Sequence, residues 1–116
     1  DEVQSGFCRT GHWASWQHYG VTPDLSTYAK SLGSGMPIAA VVGKAEVMDA
    51  AAGGTIGGTY IGSPLSCVAS SATIKYMKDI NLNERANEIG KIIMDRLDIL
   101  RKKLPEIINR DSSKLY

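Results

Sequence analysis

The last third of the chain carries apolar side chains at helical spacing, and this pattern restricts the fold more than any other feature. Steps of three or four residues place these side chains on one face of a single long helix. They are Ala86, Ile89, Ile93, Leu97, Leu100 and Leu104. Asn83 is the expected N-terminal cap, and Glu84 suits the first turn because its charge faces the positive end of the helix dipole. An earlier helix is predicted from Pro64 to about Lys78, since proline is favoured in a first helical turn.

The first half of the chain has short apolar runs separated by glycine and proline. Strands are predicted at residues 25–28 and 38–42, the second as a buried strand because its apolar run is unbroken. Residues 1–4 are interpreted as the end of a strand, and short helices are predicted at residues 13–20 and 44–52. Short strands that alternate with helices predict an α/β layer architecture.

Composition and charge argue against several classes of partner. The 116 residues have a formal net charge of +1, and the cations are interleaved with acids, so no basic patch predicts nucleic-acid binding. No apolar run reaches the roughly 18 residues that span a bilayer, so no membrane segment is expected. Cys8 and Cys67 lie far apart and form no zinc-ligand spacing with His12 or His18. We therefore expect no metal and a reduced, cytoplasmic protein.

Three places hold candidate functional residues: Asp1 with Gln4, Lys30 in a glycine-rich setting, and Thr59 within GGTIGGTYIGSP. Taken one at a time, each is compatible with a structural role: an acid that caps a turn, a surface lysine, and a flexible loop.

Other chemistries that use a lysine or a glycine-rich loop do not fit. A P-loop requires glycine before Lys-Ser, and this chain has Ala29 before Lys30. The glycines that follow Lys30 do not form the G-x-G-x-x-G pattern of a dinucleotide-binding fold. A serine–lysine hydrolase is disfavoured because the S-x-x-K position holds Thr27 in a context that is not helical.

Together, the three places form the motifs DEVQSGF-x-RTG, PD-x-x-T-x-AKSLGSGMP and GGTY-x-G-x-P. From Asp1 to Lys30 is 30 − 1 = 29 positions, and from Lys30 to Thr59 is 59 − 30 = 29. In order and spacing these motifs resemble the class III, or ω-amino acid, aminotransferases, most of all the 4-aminobutyrate aminotransferases. The resemblance covers residues 1 to about 86. It implies an enzyme of fold type I that depends on pyridoxal 5′-phosphate.

The resemblance also implies roles for individual residues. Lys30 would be the catalytic lysine, which binds the cofactor covalently and later moves a proton between substrate and cofactor. Asp1 would be the second catalytic residue, an ionised acid beside the ring nitrogen, with Gln4 on the phenolic oxygen and Val3 on the ring face. Thr59 would bind the cofactor phosphate of the neighbouring subunit in a homodimer. A lysine that attacks an aldehyde reacts as the free amine, which suits a weakly hydrated pocket.

The implied reaction transfers an amino group from an ω-amino acid, namely 4-aminobutyrate, to 2-oxoglutarate. An acetylornithine or ornithine aminotransferase, an aminomutase and an isolated, inert scaffold fragment stay open as alternatives. Cys8 stands where the family usually has glycine, and Ser63 where it usually has asparagine, so substrate details also stay open.

The implied architecture is α/β: the C-terminal part of a fold type I large domain, with a mostly parallel sheet and flanking helices. Since the chain starts at Asp1 without a methionine, we expect a piece truncated at both ends of a longer protein. Residues 1–80 would belong to the cofactor-binding large domain, and residues 81–116 to a helix and the connection to a small domain. The piece by itself is expected to be inactive.

Overall fold

The structure, a computed structural model, describes residues 1–55 and 57–104. Two strands form a small sheet, β1 (Leu25–Tyr28) and β2 (Ala40–Gly43), which pair antiparallel with Leu25 opposite Gly43. Five helical segments complete the secondary structure of the described residues. The α-helices are α1 (Ala45–Met48), α2 (Pro64–Asp79) and α3 (Leu82–Lys103), and the 3-10 helices are Ser15–Tyr19 and Lys30–Leu32.

The long helices lie where the sequence predicts them, with one error at the start of α3. The predicted cap, Asn83, is wrong, because Asn81 occupies that position. Asn81 has a left-handed backbone (φ 49°), which asparagine tolerates better than most residues, so the chain can turn sharply between α2 and α3. The carbonyl of Asn81 accepts a hydrogen bond from the Glu84 amide at 3.1 Å, and Glu84 lies in the first turn as predicted.

The helix predicted at residues 44–52 is much shorter than expected. Only Ala45–Met48 is helical, and none of its side chains is buried. Intrinsic helix propensity stabilises so short a segment very little, and a longer helix would need packing against a neighbouring element.

The sheet differs from the sequence prediction in three ways. The second strand begins at Ala40 rather than at residue 38, and it is exposed rather than buried, with Val42 at 58% exposure. The two described strands pair antiparallel, so the expected parallel part of a sheet is not found in residues 1–55 and 57–104. Residues 1–4 form no strand, because the Gly6 amide closes a turn onto the Glu2 carbonyl at 2.9 Å.

The core is small and joins the N-terminal loop to β1 and α2. Its buried apolar side chains are Cys8, Ala14, Leu32 and Met77. Beside them, Phe7 packs edge-on against Tyr28 of β1, with ring centroids 5.4 Å apart, and against Trp13 at 6.3 Å. The helix predicted at residues 13–20 is the 3-10 helix Ser15–Tyr19, and it ends at Gly20 (φ 63°) as expected. This packing fixes residues 1–14 against the strand that leads to Lys30.

Helix α3 contacts the N-terminal loop at a glycine. The Asn87 side chain donates a hydrogen bond to the Gly11 carbonyl at 3.4 Å. Gly11 has a φ of 88°, and a Cβ at this position would overlap the Asn87 side chain. The predicted apolar face of α3 is largely exposed in this chain, for example at Ile93 and Leu97. Of the helices in the described ranges, none is apolar over a length that would cross a membrane.

Candidate active site

Lys30 lies at a tight turn directly after β1. It is the first residue of the 3-10 helix Lys30–Leu32, and the Gly33 amide closes the turn onto the Lys30 carbonyl at 3.1 Å. A Cβ at residue 33 would overlap the Met36 carbonyl, so the turn requires glycine there. Lys30 has a left-handed backbone with φ 42°, which costs an ordinary residue about 1–2 kcal/mol. Such strain persists only where the surrounding structure holds it, and it concentrates at functional positions.

The N-terminal segment lies beside the end of β1 and brings Gln4 into contact with Lys30. The Glu2 amide donates to the Thr27 carbonyl at 2.8 Å, which aligns the two segments. The Lys30 Nζ donates a hydrogen bond to Oε1 of Gln4. Four of the predicted site residues therefore lie on two adjacent segments: Asp1, Val3 and Gln4 on the first, and Lys30 on the second. The Gln4–Lys30 contact joins positions 26 apart in the sequence.

Asp1 is oriented through one of its two carboxylate oxygens. Oδ1 accepts hydrogen bonds from the Thr27 hydroxyl at 2.9 Å and from the Val3 amide at 2.8 Å. Within residues 1–55 and 57–104, Oδ2 receives no hydrogen bond. The two bonds to Oδ1 hold the carboxylate in one orientation.

An open surface pocket of about 600 Å³ adjoins Lys30. Arg9, Ser31 and Ser34 contribute polar groups to its lining, which also includes Met77 of α2. Among the residues that the structure describes, Lys30 is exposed, so the expected weakly hydrated environment is not formed there.

Glu2, which the sequence does not single out, is buried next to Asp1. Its side chain is only 4% exposed, and its carboxylate accepts four hydrogen bonds. The donors are the Ser5 hydroxyl (2.8 Å), the Ser15 amide and hydroxyl (2.9 and 2.7 Å) and the Trp16 amide (3.2 Å). Burial by itself raises the pKa of Glu2, but the donors from Ser15, Ser5 and Trp16 outweigh it, so the pKa lies below its ordinary value.

Thr59 lies apart from the other predicted residues. It is exposed, in a groove lined by Ile38, Tyr60 and Cys67 among others, and Lys30 does not contribute to that lining. The described part of the chain thus does not bring Thr59 to the amine of Lys30. The same residues contain no cluster of three or more metal-ligating side chains.

A family model described as aminotransferase class-III matches residues 1–110 of this chain. The chain belongs to the class-III aminotransferase family. The chain is 49% identical over 107 residues to the 4-aminobutyrate aminotransferase GabT of Escherichia coli. The match covers 92% of this chain and 25% of GabT.

Two solved structures are similar to the class-III aminotransferase chain. An ornithine aminotransferase from Toxoplasma gondii, with partial occupancy of pyridoxal 5′-phosphate at its active site, matches at a TM-score of 0.80 and 41% identity. That match covers 90% of this chain and 24% of the Toxoplasma chain. A taurine:2-oxoglutarate aminotransferase from Bifidobacterium kashiwanohense, in complex with pyridoxal 5′-phosphate and glutamate, matches at a TM-score of 0.81 and 31% identity. That match covers 89% of this chain and 24% of the Bifidobacterium chain.

These matches confirm the predicted family and the α/β fold type I class. The chain spans about a quarter of the length of the relatives that it matches. The role of Thr27, which orients Asp1, was not anticipated, although its place three residues before Lys30 in the second motif was visible. No sequence signal marks Glu2, since an acid next to Asp1 is equally typical of an exposed turn.

Proposed function

We propose that this chain is the part of a longer pyridoxal 5′-phosphate-dependent aminotransferase that holds the catalytic lysine. The enzyme would move an amino group from 4-aminobutyrate to 2-oxoglutarate. The observation that carries the proposal is the contact between the Lys30 amine and the Gln4 amide, with the oriented Asp1 carboxylate on the same segment. A primary amine, an amide and a carboxylate on adjacent segments are the groups that bind an aldehyde, a phenolic oxygen and a pyridine nitrogen.

The residues present fit the cofactor. Oδ2 of Asp1 has no hydrogen-bond partner among residues 1–55 and 57–104, so it can accept from a protonated ring nitrogen while Thr27 holds Oδ1. Val3 is partly buried beside Asp1 and offers an apolar surface for the ring. When bound, pyridoxal 5′-phosphate supplies an electron sink for charge that develops on the amino-bearing carbon.

Each residue of the site then has a defined task. Asp1 keeps a proton on the ring nitrogen, and Gln4 donates or accepts at the phenolic oxygen next to the Lys30 amine. Lys30 would hold the cofactor covalently through its amine, and as a free amine it would carry the proton that leaves the amino-bearing carbon of the substrate. The strained turn at Lys30 fixes where that amine emerges from the backbone.

Thr59 would serve the second subunit of a homodimer. Its hydroxyl and amide would bind the cofactor phosphate of the partner's site. The support is its exposed position in a groove that does not include Lys30. Apolar side chains that are exposed in this chain, such as Val42 and Tyr60 (81% exposed), would be covered by the rest of the enzyme.

Residues 1–80 would form part of the cofactor-binding domain, and residues 81–116 the helix and connection toward a small domain. Residues 105–116 lie outside the described residues. We further propose a cytoplasmic enzyme. Cys8 and Cys67 are free thiols, and burial raises the pKa of the Cys8 thiol, which keeps it protonated and unreactive in a reducing compartment.

The test is to locate the cofactor on the full-length enzyme. After loading with pyridoxal 5′-phosphate, borohydride reduction and peptide mass spectrometry should place the adduct on Lys30, and Lys30→Ala should abolish both adduct and turnover. Lys44→Ala is the matched control, because Lys44 is an exposed lysine paired with Asp24 at 2.6 Å. An adduct on any other lysine overturns the proposal. Comparing kcat/KM for 4-aminobutyrate, ornithine and taurine identifies the amino donor.

A further inference from the structure

We propose that Glu2 is a positioning residue of this site: its buried carboxylate holds Asp1 and Gln4 in the orientation that binds the cofactor. The inference rests on the proposed function, because it assigns no separate ligand to Glu2. Asp1 and Gln4 are exposed, whereas Glu2 between them is almost completely buried. The segment that carries both cofactor-binding side chains is therefore anchored by Glu2.

Glu2 is hydrogen-bonded through its amide, its carbonyl and its carboxylate. The Glu2 amide is bonded to Thr27 of β1, and its carbonyl to the Gly6 amide. Its carboxylate takes four donors, three of which come from Ser15 and Trp16 at the start of the 3-10 helix Ser15–Tyr19. Together these bonds define both the position and the rotation of the peptide units on either side of Glu2.

Burying a carboxylate costs free energy, because the charge loses its hydration. An apolar side chain could fill the same volume, and a buried charge often adds little net stability over an apolar residue. What a carboxylate adds is direction, since each of its oxygens must point at its donors. The Ser5 and Ser15 hydroxyl oxygens lie 3.1 Å apart, so the two oxygens of the carboxylate face neighbouring donors. Gly6 allows the backbone to turn closely onto Glu2, because a Cβ at residue 6 would lie 2.8 Å from the Glu2 carbonyl oxygen.

The Glu2 carboxylate should affect the orientation of Asp1 and Gln4 in addition to the stability of the fold. Asp1 and Gln4 must meet two different atoms of one rigid ring, so a small rotation of their shared segment moves one contact away from the ring. Loss of the Glu2 carboxylate should therefore loosen the cofactor and alter its fixed orientation even in protein that stays folded.

The experiment compares full-length Glu2→Gln and Glu2→Asp with wild type and with Leu82→Ala. Leu82 is a half-buried residue of α3 that makes no hydrogen bond to Glu2, and its truncation gives a destabilised control with the Glu2 carboxylate intact. Three quantities are measured: the Kd of the apoenzyme for pyridoxal 5′-phosphate, the visible circular dichroism per mole of bound cofactor, and kcat separately from KM.

For Glu2→Gln we expect a Kd raised by about tenfold or more, weaker circular dichroism and a fall in kcat, because the amide replaces an acceptor by a donor. Glu2→Asp should change the Kd, the circular dichroism and kcat less than Glu2→Gln does, since it keeps the negative charge. Leu82→Ala should lower the melting temperature without changing the circular dichroism. If Glu2→Gln does not fold, Ser5→Ala, which removes one donor to the carboxylate, should shift the three quantities in the same direction.

Each failure is distinguishable. Absence of a borohydride adduct on Lys30 in wild type would refute the proposed function itself. An adduct in wild type together with an unchanged Kd and circular dichroism in Glu2→Gln, or in Ser5→Ala where Glu2→Gln does not fold, would overturn the positioning role alone. Equal changes in Glu2→Gln and Leu82→Ala would also overturn it, because they would reflect general destabilisation.

Discussion

The Thr27 hydroxyl donates a hydrogen bond to Oδ1 of Asp1 at 2.9 Å, which ties the acid of the candidate site to the strand that leads to Lys30. Thr27 lies three residues before Lys30. Strand β1 therefore positions both groups, the amine through the chain and the carboxylate through this hydrogen bond. A change at Thr27 should affect Asp1 without touching the lysine.

Thr27→Val should lower kcat/KM of the full-length enzyme by about fivefold, which corresponds to the loss of roughly 1 kcal/mol of positioning. Valine keeps the branched shape that suits a strand but removes the hydroxyl donor. Thr22→Val, at an exposed position before β1, is the control and should leave kcat/KM unchanged. Steady-state kinetics with saturating cofactor make the comparison, and equal values for the two variants would contradict the role of Thr27.

Asp1→Asn should reduce turnover far more than it reduces cofactor affinity. A neutral amide cannot keep the ring nitrogen protonated, although it can still form a hydrogen bond. Loss of one charge-assisted contact, about 1.5–3 kcal/mol, also predicts a weaker Kd for pyridoxal 5′-phosphate. Rates of the half-reaction with the amino donor, measured beside the Kd, separate the two effects. Near-normal turnover in Asp1→Asn would remove Asp1 from the catalytic residues.

Thr59 should act in the active site of the partner subunit. Mixed dimers of full-length Lys30→Ala and Thr59→Ala subunits would then contain one site with both groups intact and one with neither. We expect about half of the wild-type activity at cofactor concentrations where the Thr59→Ala homodimer is weak, since one or two contacts to a dianion contribute about 1.5–3 kcal/mol.

If Thr59 acts within its own subunit, the mixed dimer contains no intact site. Its activity then stays at half of that of the Thr59→Ala homodimer, and the intersubunit role is lost. Activity is measured per dimer after separating the mixed species by two affinity tags, with reassociated wild-type dimers as the reference.

Glu2 should stabilise the folded enzyme in a pH-dependent way. Because the pKa of Glu2 is lowered in the folded state, folding favours the ionised carboxylate. The stabilisation is complete above the ordinary glutamate pKa of about 4.3 and is lost as the pH falls through the lowered pKa. The difference in free energy of unfolding between wild type and Glu2→Gln should be about 1.5–3 kcal/mol at neutral pH and shrink below about pH 4. Denaturant titrations at several pH values measure this difference.

Glu46→Gln is the control for that titration, because Glu46 is an exposed acid in the first turn of α1. It should change the free energy of unfolding little at any pH. A difference for Glu2→Gln that stays constant from pH 7 to about pH 3 would show that the ionised carboxylate is not what stabilises the fold.

Gly11→Ala should destabilise the enzyme by about 2 kcal/mol or more. A positive φ of 88° is unfavourable for alanine, and the alanine Cβ would displace the Asn87 side chain of α3. Gly53→Ala is the matched control, since a Cβ at residue 53 meets no atom within 4 Å. Melting temperatures of the two variants test the contact between α3 and the N-terminal loop. Equal melting temperatures would show that the loop does not require glycine.

The sequence by itself determined the family, the two long helices and the three motifs. Helical spacing of apolar residues and a proline in a first turn are local signals, so α2 was predicted to within one residue. Short strands that alternate with helices predicted the α/β class, the motifs around Lys30 implied fold type I by resemblance, and the matches confirm both. The assignment of individual site residues remains a prediction.

Tertiary structure alone decided which side chains orient the site. Local patterns cannot show that Thr27 bonds to Asp1, or that Glu2 faces Ser15 and Trp16, because these partners are brought together only when the loop packs against β1. The same reason explains the errors at Asn83 and at residues 1–4, where a turn depends on a neighbouring element. Burial of a carboxylate depends on the donors that surround it, and three of the four donors to Glu2 come from a segment more than ten residues away.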